Sequence, residues 1–320
     1  MRNSSDDVNS TYSYVQYFSG GVCRLESDIS VIIYAAVLII LAIIATLENL
    51  AVILAIFKYK ILRSTSMVLL GILGVVDLVT GAVVTPLKVW ITLHHGRFDF
   101  KMIIVFMWLF ITVVYFSLST VLAISFDRFC HVYFLDKYKP TLKKMGVGLF
   151  VCWSVPIAIV ICALVGHMSA ALFLLCLIYF LLCIVALVLV YIGMVVSLKR
   201  HSSNEDAAGT QPNIENERQA VRTTLLIIAT CLVMNLPPVL SIVLAFHRIS
   251  SKILCAVTFF FLLANSAVNP VIYCMRIPLI KKYVFRLLCN KKAFDAVDQT
   301  IDGSTDRLVP GGPEDIELRV

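Results

Sequence analysis

Seven long apolar runs constrain the fold of this chain more than any other feature. They cover residues 29–57, 66–93, 102–126, 145–166, 170–198, 221–246 and 253–275. Each is long enough to cross the roughly 30 Å hydrocarbon core of a bilayer as a helix. The chain is 60% hydrophobic and 15% charged, whereas a soluble domain is about half apolar. We therefore expect an all-α fold: a seven-transmembrane helix bundle over residues 29–275.

The distribution of Lys and Arg predicts the orientation of these helices. With the N-terminus outside, 20 of the 27 basic residues fall on the inner side, as cytoplasmic segments require. Residues 1–28 lack an apolar core segment, so we expect no cleavable signal peptide. The sequons at Asn3 and Asn9 would then lie on the glycosylated side, in a plasma-membrane protein. The net charge of +7 fits this arrangement and does not indicate nucleic-acid binding.

The end of the chain predicts membrane and partner contacts. In residues 276–290 the apolar side chains share one face, which is typical of a short amphipathic helix on the inner leaflet. Cys289 near its end is a candidate for palmitoylation. Residues 291–320 are polar and acidic, which favours a disordered cytoplasmic tail. The terminal Glu317, Leu318, Arg319 and Val320 suit strand addition to a PDZ domain, although so short a match is common.

Polar side chains inside the apolar runs mark the interior of the bundle, because they are costly in hydrocarbon unless partnered. Asp77 lies in the middle of the second run, and Ser117 lies 11 residues before Arg128 in the third, at the expected depth of Asp77. The seventh run carries the segment NSAVNPVIY over residues 265–273. Asn49 in the first run is expected to bridge the first, second and seventh helices. For Glu48 we favour a hydrogen-bonded packing role over a functional one.

Prolines predict where the helices bend. Pro86 should bend the second helix near its outer end, and Pro237–Pro238 should make the sixth a hinged element. Pro270 should loosen the seventh. The polar segment 199–217 reads as a mobile inner linker.

Lys88 and Trp90 follow Pro86 near the outer interface. Anchoring and snorkelling are favoured for both side chains over a ligand role. Cys23 and Cys255 both fall on the oxidising face, which permits a disulfide between them.

Two other functional classes find less support. A transporter often has two related halves with matching broken helices, and neither an even helix count nor an internal repeat is visible. An intramembrane enzyme needs a catalytic constellation, but the chain has no HExxH or GxSxG motif and no pair of aspartates at one depth. We expect no enzymatic activity.

The motifs together resemble a rhodopsin-like (class A) G-protein-coupled receptor. They are Asn49, Asp77, the Asp127-Arg128-Phe129 segment and the NPVIY segment, in order and at matching depth over about residues 29–289. The resemblance implies a receptor that couples an extracellular ligand to a heterotrimeric G protein, with arrestin as a further partner. It implies that Arg128, with Asp127 paired beside it, engages the G protein, and that Glu217 locks Arg128. It further implies that Tyr191 and Tyr273 swing inward on activation, with Asn269 and Pro270 in the same switch. It also implies a sodium pocket made of five oxygen-bearing residues: Asp77, Ser117, Asn265, Ser266 and Asn269.

Several positions depart from the pattern of that family. Ile103 replaces the cysteine of the usual outer disulfide, Asn235 the tryptophan of the sixth helix, Cys231 its aromatic partner and Cys183 the proline of the fifth. Four features together look most like the melanocortin branch, near the cannabinoid and lysophospholipid receptors. They are the Leu47-Glu48-Asn49 segment, the missing proline of the fifth helix, the missing outer disulfide and a minimal second outer loop. A disulfide resembling Cys23–Cys255 also occurs in that branch.

The resemblance also narrows the ligand. Leu87, Ile103 and Met107 replace the acids that bind calcium and a basic peptide, Phe110 replaces the amine-binding acid, and Leu263 replaces the retinal-bearing lysine. The implied pocket is mainly apolar, and its residues are Leu87, Lys88, Met102, Phe106, Phe110, Val113 and Asn235. We expect a lipid-like or hydrophobic ligand, with constitutive activity or a non-coupling relative as alternatives.

Overall fold

A computed structural model describes residues 28–59, 65–94, 100–134, 141–164, 170–205, 212–246 and 252–288. Across these residues every regular element is a helix, which confirms the all-α expectation. The helices are α1 Asp28–Lys58, α2 Thr65–Val79, α3 Thr85–Leu93, α4 Phe100–Phe134, α5 Leu142–Leu164, α6 Ala170–Glu205, α7 Pro212–Met234, α8 Leu236–Phe246, α9 Lys252–Arg276 and α10 Pro278–Leu288. The second apolar run forms α2 and α3, and the sixth forms α7 and α8.

Six candidate membrane spans are found among the described residues. They cover Asp28–Lys58, Ser66–Leu93, Val105–Phe134, Leu174–Ser197, Val221–Ser241 and Ile253–Arg276. The fourth apolar run forms the 23-residue helix α5, which is not among the six, so its crossing of a membrane rests on the sequence. Large apolar side chains are exposed along the outside of these helices. In a bilayer acyl chains would cover them, and the chain is therefore a multi-pass membrane protein.

Helix α4 is the central element of the bundle. Its 35 residues pack against α2, α5, α6 and α7, while α1 packs against α2 and α9. Side chains at its buried positions, such as Tyr115, Leu118 and Val121, join one apolar core with residues of the surrounding helices. Because α4 contacts so many neighbours, polar groups along it can meet partners from several helices.

The second apolar run changes from an α-helix to a π-helical turn shortly before its proline. A π-helical turn, Thr80–Val84, connects α2 to α3, and Pro86 lies at the start of α3. Proline cannot donate a backbone hydrogen bond, and a π turn is a common way for a helix to absorb such a break. Within the turn the Thr85 hydroxyl and the Thr85 backbone N–H both bond the Thr80 carbonyl. The irregular turn therefore ends two residues before Pro86, and a bend of the helix there stays a prediction.

The sixth run breaks at Asn235, two residues before Pro237. Helix α7 ends at Met234 and α8 begins at Leu236. The Asn235 backbone N–H is shared between the carbonyls of Cys231 at 3.1 Å and Leu232 at 3.2 Å. The helix is therefore interrupted by a turn of one residue near the prolines, and hinge motion at this turn stays a prediction.

Helix α9, by contrast, continues through Pro270 from Lys252 to Arg276, so the expected loosening is not seen. A proline frees the carbonyl four residues before it, which here belongs to Ser266. The Asn49 side-chain amide donates to that carbonyl at 2.9 Å. A side chain of α1 thus replaces the bond that Pro270 cannot make.

Three helices extend beyond their expected ends. Helix α4 runs eight residues past 126, so Asp127 and Arg128 lie inside it rather than at its end. Helix α6 reaches Glu205 and α7 begins at Pro212, so the predicted linker 199–217 is helical at both sides of residues 206–211. Charged and polar residues continue a helix readily once it leaves the apolar region.

Helix α10 lies against the inner end of α1. Its residues Ile280 and Val284 are buried, and the Tyr283 ring lies 4.5 Å from the ring of Tyr59. Leu288 at the end of the helix is exposed. Its role as a membrane-surface helix stays a prediction.

Candidate functional site

A buried carboxylate joins three helices at the centre of the bundle. Asp77 on α2 is fully buried. The Asn269 side-chain amide on α9 donates to its Oδ2 at 2.8 Å, and the Ser117 hydroxyl on α4 donates to its Oδ1 at 3.4 Å. The second bond is near the outer limit for a hydrogen bond, so Oδ1 is the less satisfied oxygen. The spacing argument that placed Ser117 level with Asp77 describes this contact correctly.

Asn49 ties α1 to α9 beside this carboxylate. Its Nδ2 donates to the carbonyls of Ala45 at 2.8 Å and Ser266 at 2.9 Å. On α2, a Cβ placed on Gly74 would lie 3.6 Å from Asn49 Oδ1, so the helix passes close by. The expected bridge is present between the first and seventh helices, with the second in contact.

A small cavity of about 20 Å³ lies next to the carboxylate. It is lined by Thr80, Val113, Val114, Ser117, Leu118, Cys231, Asn235, Leu262, Asn265 and Ser266. The side-chain oxygens of Asn235 and Asn265 are buried and have no hydrogen-bond partner among the described residues. A space of this size holds about one water molecule or one small ion. Buried polar atoms normally have partners, so this cavity is a place for a small bound species.

The residues around the cavity fit a small hard cation. On the cavity wall Ser117 and Ser266 supply hydroxyls, and Asn265 supplies an amide oxygen without a donor. The Asp77 carboxylate adjoins the wall through Ser117, which donates to it. Hard cations prefer such oxygen ligands. Asn269 is also present, but its Nδ2 donates to Asp77, so it orients the carboxylate. No cluster of three or more His, Cys, Asp or Glu residues suited to a metal occurs in the described part of the chain.

An aromatic cluster surrounds a buried lysine toward the outer end of the bundle. Lys88 is 1% exposed, and its Nζ lies 4.0 Å from the ring centre of Phe259 and 5.9 Å from that of Phe106. Phe110 completes the cluster, 4.7 Å from Phe259. The preference for a snorkelling Lys88 is therefore wrong, because the ammonium lies over aromatic faces that attract cations. Trp90 is 47% exposed, as an interfacial residue would be.

The predicted ligand pocket divides into three parts. Phe106, Phe110 and Val113 belong to the outer apolar cluster, and Leu87 packs against it. Lys88 lies over two of its aromatic rings. Asn235 lies instead on the small cavity. Met102 is 44% exposed and does not join the cluster, because near its outer end α4 turns this position away from the bundle.

A larger cavity of about 320 Å³ opens at the inner end of the bundle. Its wall includes Arg128 from α4 and side chains from α2, α7, α9 and α10; the members are Ser66, Met67, Leu70, Ile124, Arg128, Gln219, Thr223, Thr224, Ile227, Arg276, Ile277, Pro278 and Leu279. The Gln219 side-chain amide donates to the Arg276 carbonyl at 3.2 Å. This contact joins the inner ends of α7 and α9. Glu217 lies on α7, but its side chain is outside the described part, so its pairing with Arg128 stays a prediction.

The two tyrosines of the predicted switch differ in environment. Tyr273 on α9 is fully buried, and its hydroxyl has no hydrogen-bond partner among the described residues. Tyr191 on α6 is half-buried and packs at the edge of the same core. A buried hydroxyl without a partner is unfavourable, so Tyr273 is the side chain with more to gain from a rearrangement.

The side chain of Glu48 differs from the predicted hydrogen-bonded acid. Its Oε2 is buried, yet the described residues offer it no hydrogen-bond partner. The prediction of a hydrogen-bonded packing role is therefore wrong for this oxygen. The sequence showed a carboxyl in an apolar run but could not show which neighbours it meets.

Several predicted sites lie outside the described residues: Asn3, Asn9, Cys23 and Cys289, with the PDZ-type terminus. Cys255 is disulfide-bonded. Among the described cysteines Cys130, Cys152, Cys162, Cys176, Cys183, Cys231 and Cys274 are free, so its partner is not one of them. Pairing with Cys23 stays a prediction.

Two residues of these sites were missed in the sequence. Phe259 sits in a run of three phenylalanines, and only its position two helical turns before Ser266 indicates that it shares the buried face. Gln219 lies four residues before Thr223, which puts both on one face of a helix. Either spacing is informative only if it is already known which face of the helix is buried.

Comparison with known proteins agrees with the geometry. Residues 48–172 match the family model for the 7 transmembrane receptor (rhodopsin family). The matched part contains Asn49, Asp77, Ser117 and Arg128, while the motifs of the sixth and seventh helices lie beyond it. No curated protein matches the chain. The match covers less than half of the 320 residues, and over that part it supports a rhodopsin-family receptor, a class generally without enzymatic activity.

Proposed function

We propose that this chain is a G-protein-coupled receptor, which converts binding of an extracellular ligand into activation of a heterotrimeric G protein. The observation that carries the proposal is the inner cavity of about 320 Å³ with Arg128 in its wall. Four helices of the bundle and α10 surround it, so a small movement of α7 changes its width. A protein segment entering from the cytoplasm would meet Arg128 there.

The break at Asn235 gives α7 a hinge. Because α7 and α8 are joined by one non-helical residue, α7 can swing while α8 stays packed on α9. The Gln219–Arg276 contact at the inner end must open for the cavity to widen. In this proposal Glu217 holds Arg128 in the resting state, and Tyr191, Tyr273, Asn269 and Pro270 rearrange during activation.

The ligand is hydrophobic or lipid-like. The outer cluster is built from Phe106, Phe110, Val113 and Phe259, all buried, and so offers mainly apolar surface. Lys88 supplies its one cationic contact among the residues that the structure describes in this cluster. A ligand of this kind would reach the site from the outer side or from the lipid.

The other partners follow from the same proposal. Na⁺ would be held by Asp77, Ser117, Asn265 and Ser266, with Asn269 orienting the carboxylate, and would supply a positive charge that stabilises the resting bundle. Arrestin would share the inner cavity, and a PDZ domain would take the C-terminus. The chain shares its ancestry with the melanocortin branch but does not bind the peptide ligand of that branch. The N-terminus is outside the plasma membrane, glycosylated at Asn3 and Asn9, and Cys289 carries palmitate.

The test is basal signalling in cells that express the chain, read with reporters for the four G-protein families. Arg128→Ala should abolish the signal and Glu217→Ala should raise it, with surface expression unchanged. Arg128→Lys is the matched control, because it keeps the charge and loses the planar guanidinium. An unchanged signal in Arg128→Ala would contradict the role of Arg128. An ion flux that depends on Asp77 would instead favour a channel or transporter.

A further inference from the structure

The small cavity beside the break in the sixth apolar run contains two amide oxygens that face no donor. One is Asn235 Oδ1 and the other Asn265 Oδ1. Both hydrogens of Asn235 Nδ2 have an acceptor, since it donates to the Cys231 carbonyl at 2.7 Å and to the Cys231 sulfur at 3.5 Å. Only the oxygen of Asn235 is therefore left to interact with whatever lies in the cavity.

The remaining oxygens on the cavity wall are acceptors as well. The Thr80 hydroxyl donates to the Val76 carbonyl at 3.0 Å, and the Ser117 hydroxyl donates to Asp77. Each hydroxyl has one hydrogen, so both present only lone pairs to the cavity. With Asn235 and Asn265 these make four acceptors on the wall, in addition to the Ser266 hydroxyl. One water molecule can donate only two hydrogen bonds, whereas one cation can contact all four oxygens.

The charge balance also favours a cation. Asp77 is fully buried, and the side chains that hydrogen-bond its carboxylate, Asn269, Ser266 and Ser117, are all uncharged. An ionised carboxylate in such a place needs a positive charge nearby. The cavity adjoins it through Ser117 and has room for one small ion.

The geometry points to Asn235 as a ligand of the cation that we place beside Asp77, so that Na⁺ binding holds the break in the sixth run against α9. This inference rests on the proposed sodium site and adds a residue to it. Asn235 is the one non-helical residue between α7 and α8, and Asn265 lies on α9. An ion shared by both oxygens fixes the hinge residue relative to the seventh helix. Loss of the ion frees α7 to move.

The test uses the purified full-length chain and follows thermal unfolding with a thiol-reactive dye, which reports exposure of the buried free cysteines. NaCl is titrated at constant ionic strength with choline chloride as the replacement salt. The matched variants are Asn235→Val and Asn235→Thr, which have nearly the same shape. Only Thr keeps an oxygen, and its hydroxyl can donate to the Cys231 carbonyl as Thr80 does to Val76.

We expect Na⁺ to raise the melting temperature of the wild type and of Asn235→Thr. The Na⁺ concentration that gives half of this rise, the titration midpoint, should be similar for the two proteins. In Asn235→Val this Na⁺ concentration should rise about tenfold or more, since even the loss of a residue that only orients the ligands weakens a metal site by that factor. Asp77→Asn should remove the effect of Na⁺ altogether. If Asn235→Val is not recovered folded, Asn235→Ala makes the same comparison with Asn235→Thr.

An unchanged midpoint in Asn235→Val, with the effect lost in Asp77→Asn, would overturn the role of Asn235 and leave the sodium site standing. A wild type that responds equally to NaCl and choline chloride would overturn both and show that the cavity takes only water. Neither result bears on receptor function, which the Arg128 variants decide by signalling.

Discussion

Asn49 Nδ2 donates a hydrogen bond of 2.9 Å to the backbone carbonyl of Ser266, the carbonyl that Pro270 leaves without its helical donor. The same arrangement occurs at a second proline. Pro156 in α5 frees the carbonyl of Cys152, and the Tyr179 hydroxyl on α6 donates to it at 3.0 Å. In hydrocarbon no water can satisfy such groups. Side chains of neighbouring helices therefore make each proline compatible with a continuous helix.

This relationship predicts a coupling between Asn49 and Pro270. Asn49→Ala should destabilise the wild type by about 1–3 kcal/mol, the cost of leaving a buried carbonyl unsatisfied. In a Pro270→Ala background the new backbone N–H bonds the Ser266 carbonyl, so the same substitution should cost clearly less. Melting temperatures of the four purified proteins measure the coupling. Equal losses in both backgrounds would show that the bond to Ser266 is not what Asn49 contributes.

The buried tyrosine hydroxyls predict a contrast between two Tyr→Phe variants. The Tyr115 hydroxyl donates to the Cys176 carbonyl at 2.6 Å, so Tyr115→Phe should lose about 1 kcal/mol. The Tyr273 hydroxyl is buried with no partner among the described residues, so Tyr273→Phe should lose nothing or gain stability. Thermal unfolding of the two variants measures the difference.

The signalling effect of Tyr273→Phe should have the opposite sign from its effect on stability. In the proposed mechanism the hydroxyl finds its partner only after activation, so ligand-independent G-protein signalling should fall. A Tyr273→Phe protein that melts lower than Tyr115→Phe would show that the Tyr273 hydroxyl is satisfied in the resting protein.

Two glycines give a matched pair for the packing of the π-helical turn. A Cβ on Gly81 would lie 2.9 Å from the Thr46 hydroxyl and 3.0 Å from both the Thr46 backbone nitrogen and the Ala45 Cβ. Gly81→Ala should therefore force α1 and the turn apart and cost about 1–3 kcal/mol. Gly148 on α5 has no atom within 4 Å of the same position, so Gly148→Ala should stabilise by up to about 1 kcal/mol through helix propensity. Equal effects in the two variants would contradict the close contact.

The helices and the depth of the polar groups in the bundle could be predicted well from the sequence. The apolar runs predict helices because a backbone in hydrocarbon must satisfy its own hydrogen bonds. The 11-residue spacing from Ser117 to Arg128 predicts the depth of Ser117, which Asp77 shares. These are local relationships along one helix. They could be predicted because rise per residue converts spacing directly into depth.

What could not be predicted depends on contacts between distant parts of the chain. The continuity of α9 through Pro270 requires Asn49, and the burial of Lys88 requires Phe259, which lies on α9. A lysine near the end of a membrane span can lie at the interface or in the interior of the bundle. Which of the two occurs depends on the residues of other helices that it contacts. The unpaired oxygens of Asn235 and Asn265 are likewise visible only once α7, α8 and α9 are packed.

The Lys88–Phe259 contact makes the last prediction. The ammonium lies 4.0 Å from the ring centre, and a cation–π contact away from water is worth about 0.5–2 kcal/mol. Lys88→Met keeps the apolar stem and removes the charge, while Phe259→Leu keeps an apolar side chain and removes the ring. A double-mutant cycle on melting temperature should therefore show a coupling energy of about 0.5–2 kcal/mol. The control cycle pairs Lys88→Met with Phe180→Leu on α6, which belongs to a different core cluster, and its effects should add. Additive effects in the Phe259 cycle would mean that the ring serves Lys88 only as apolar surface, and the outer cluster would then lose its basis as a cation-bearing site.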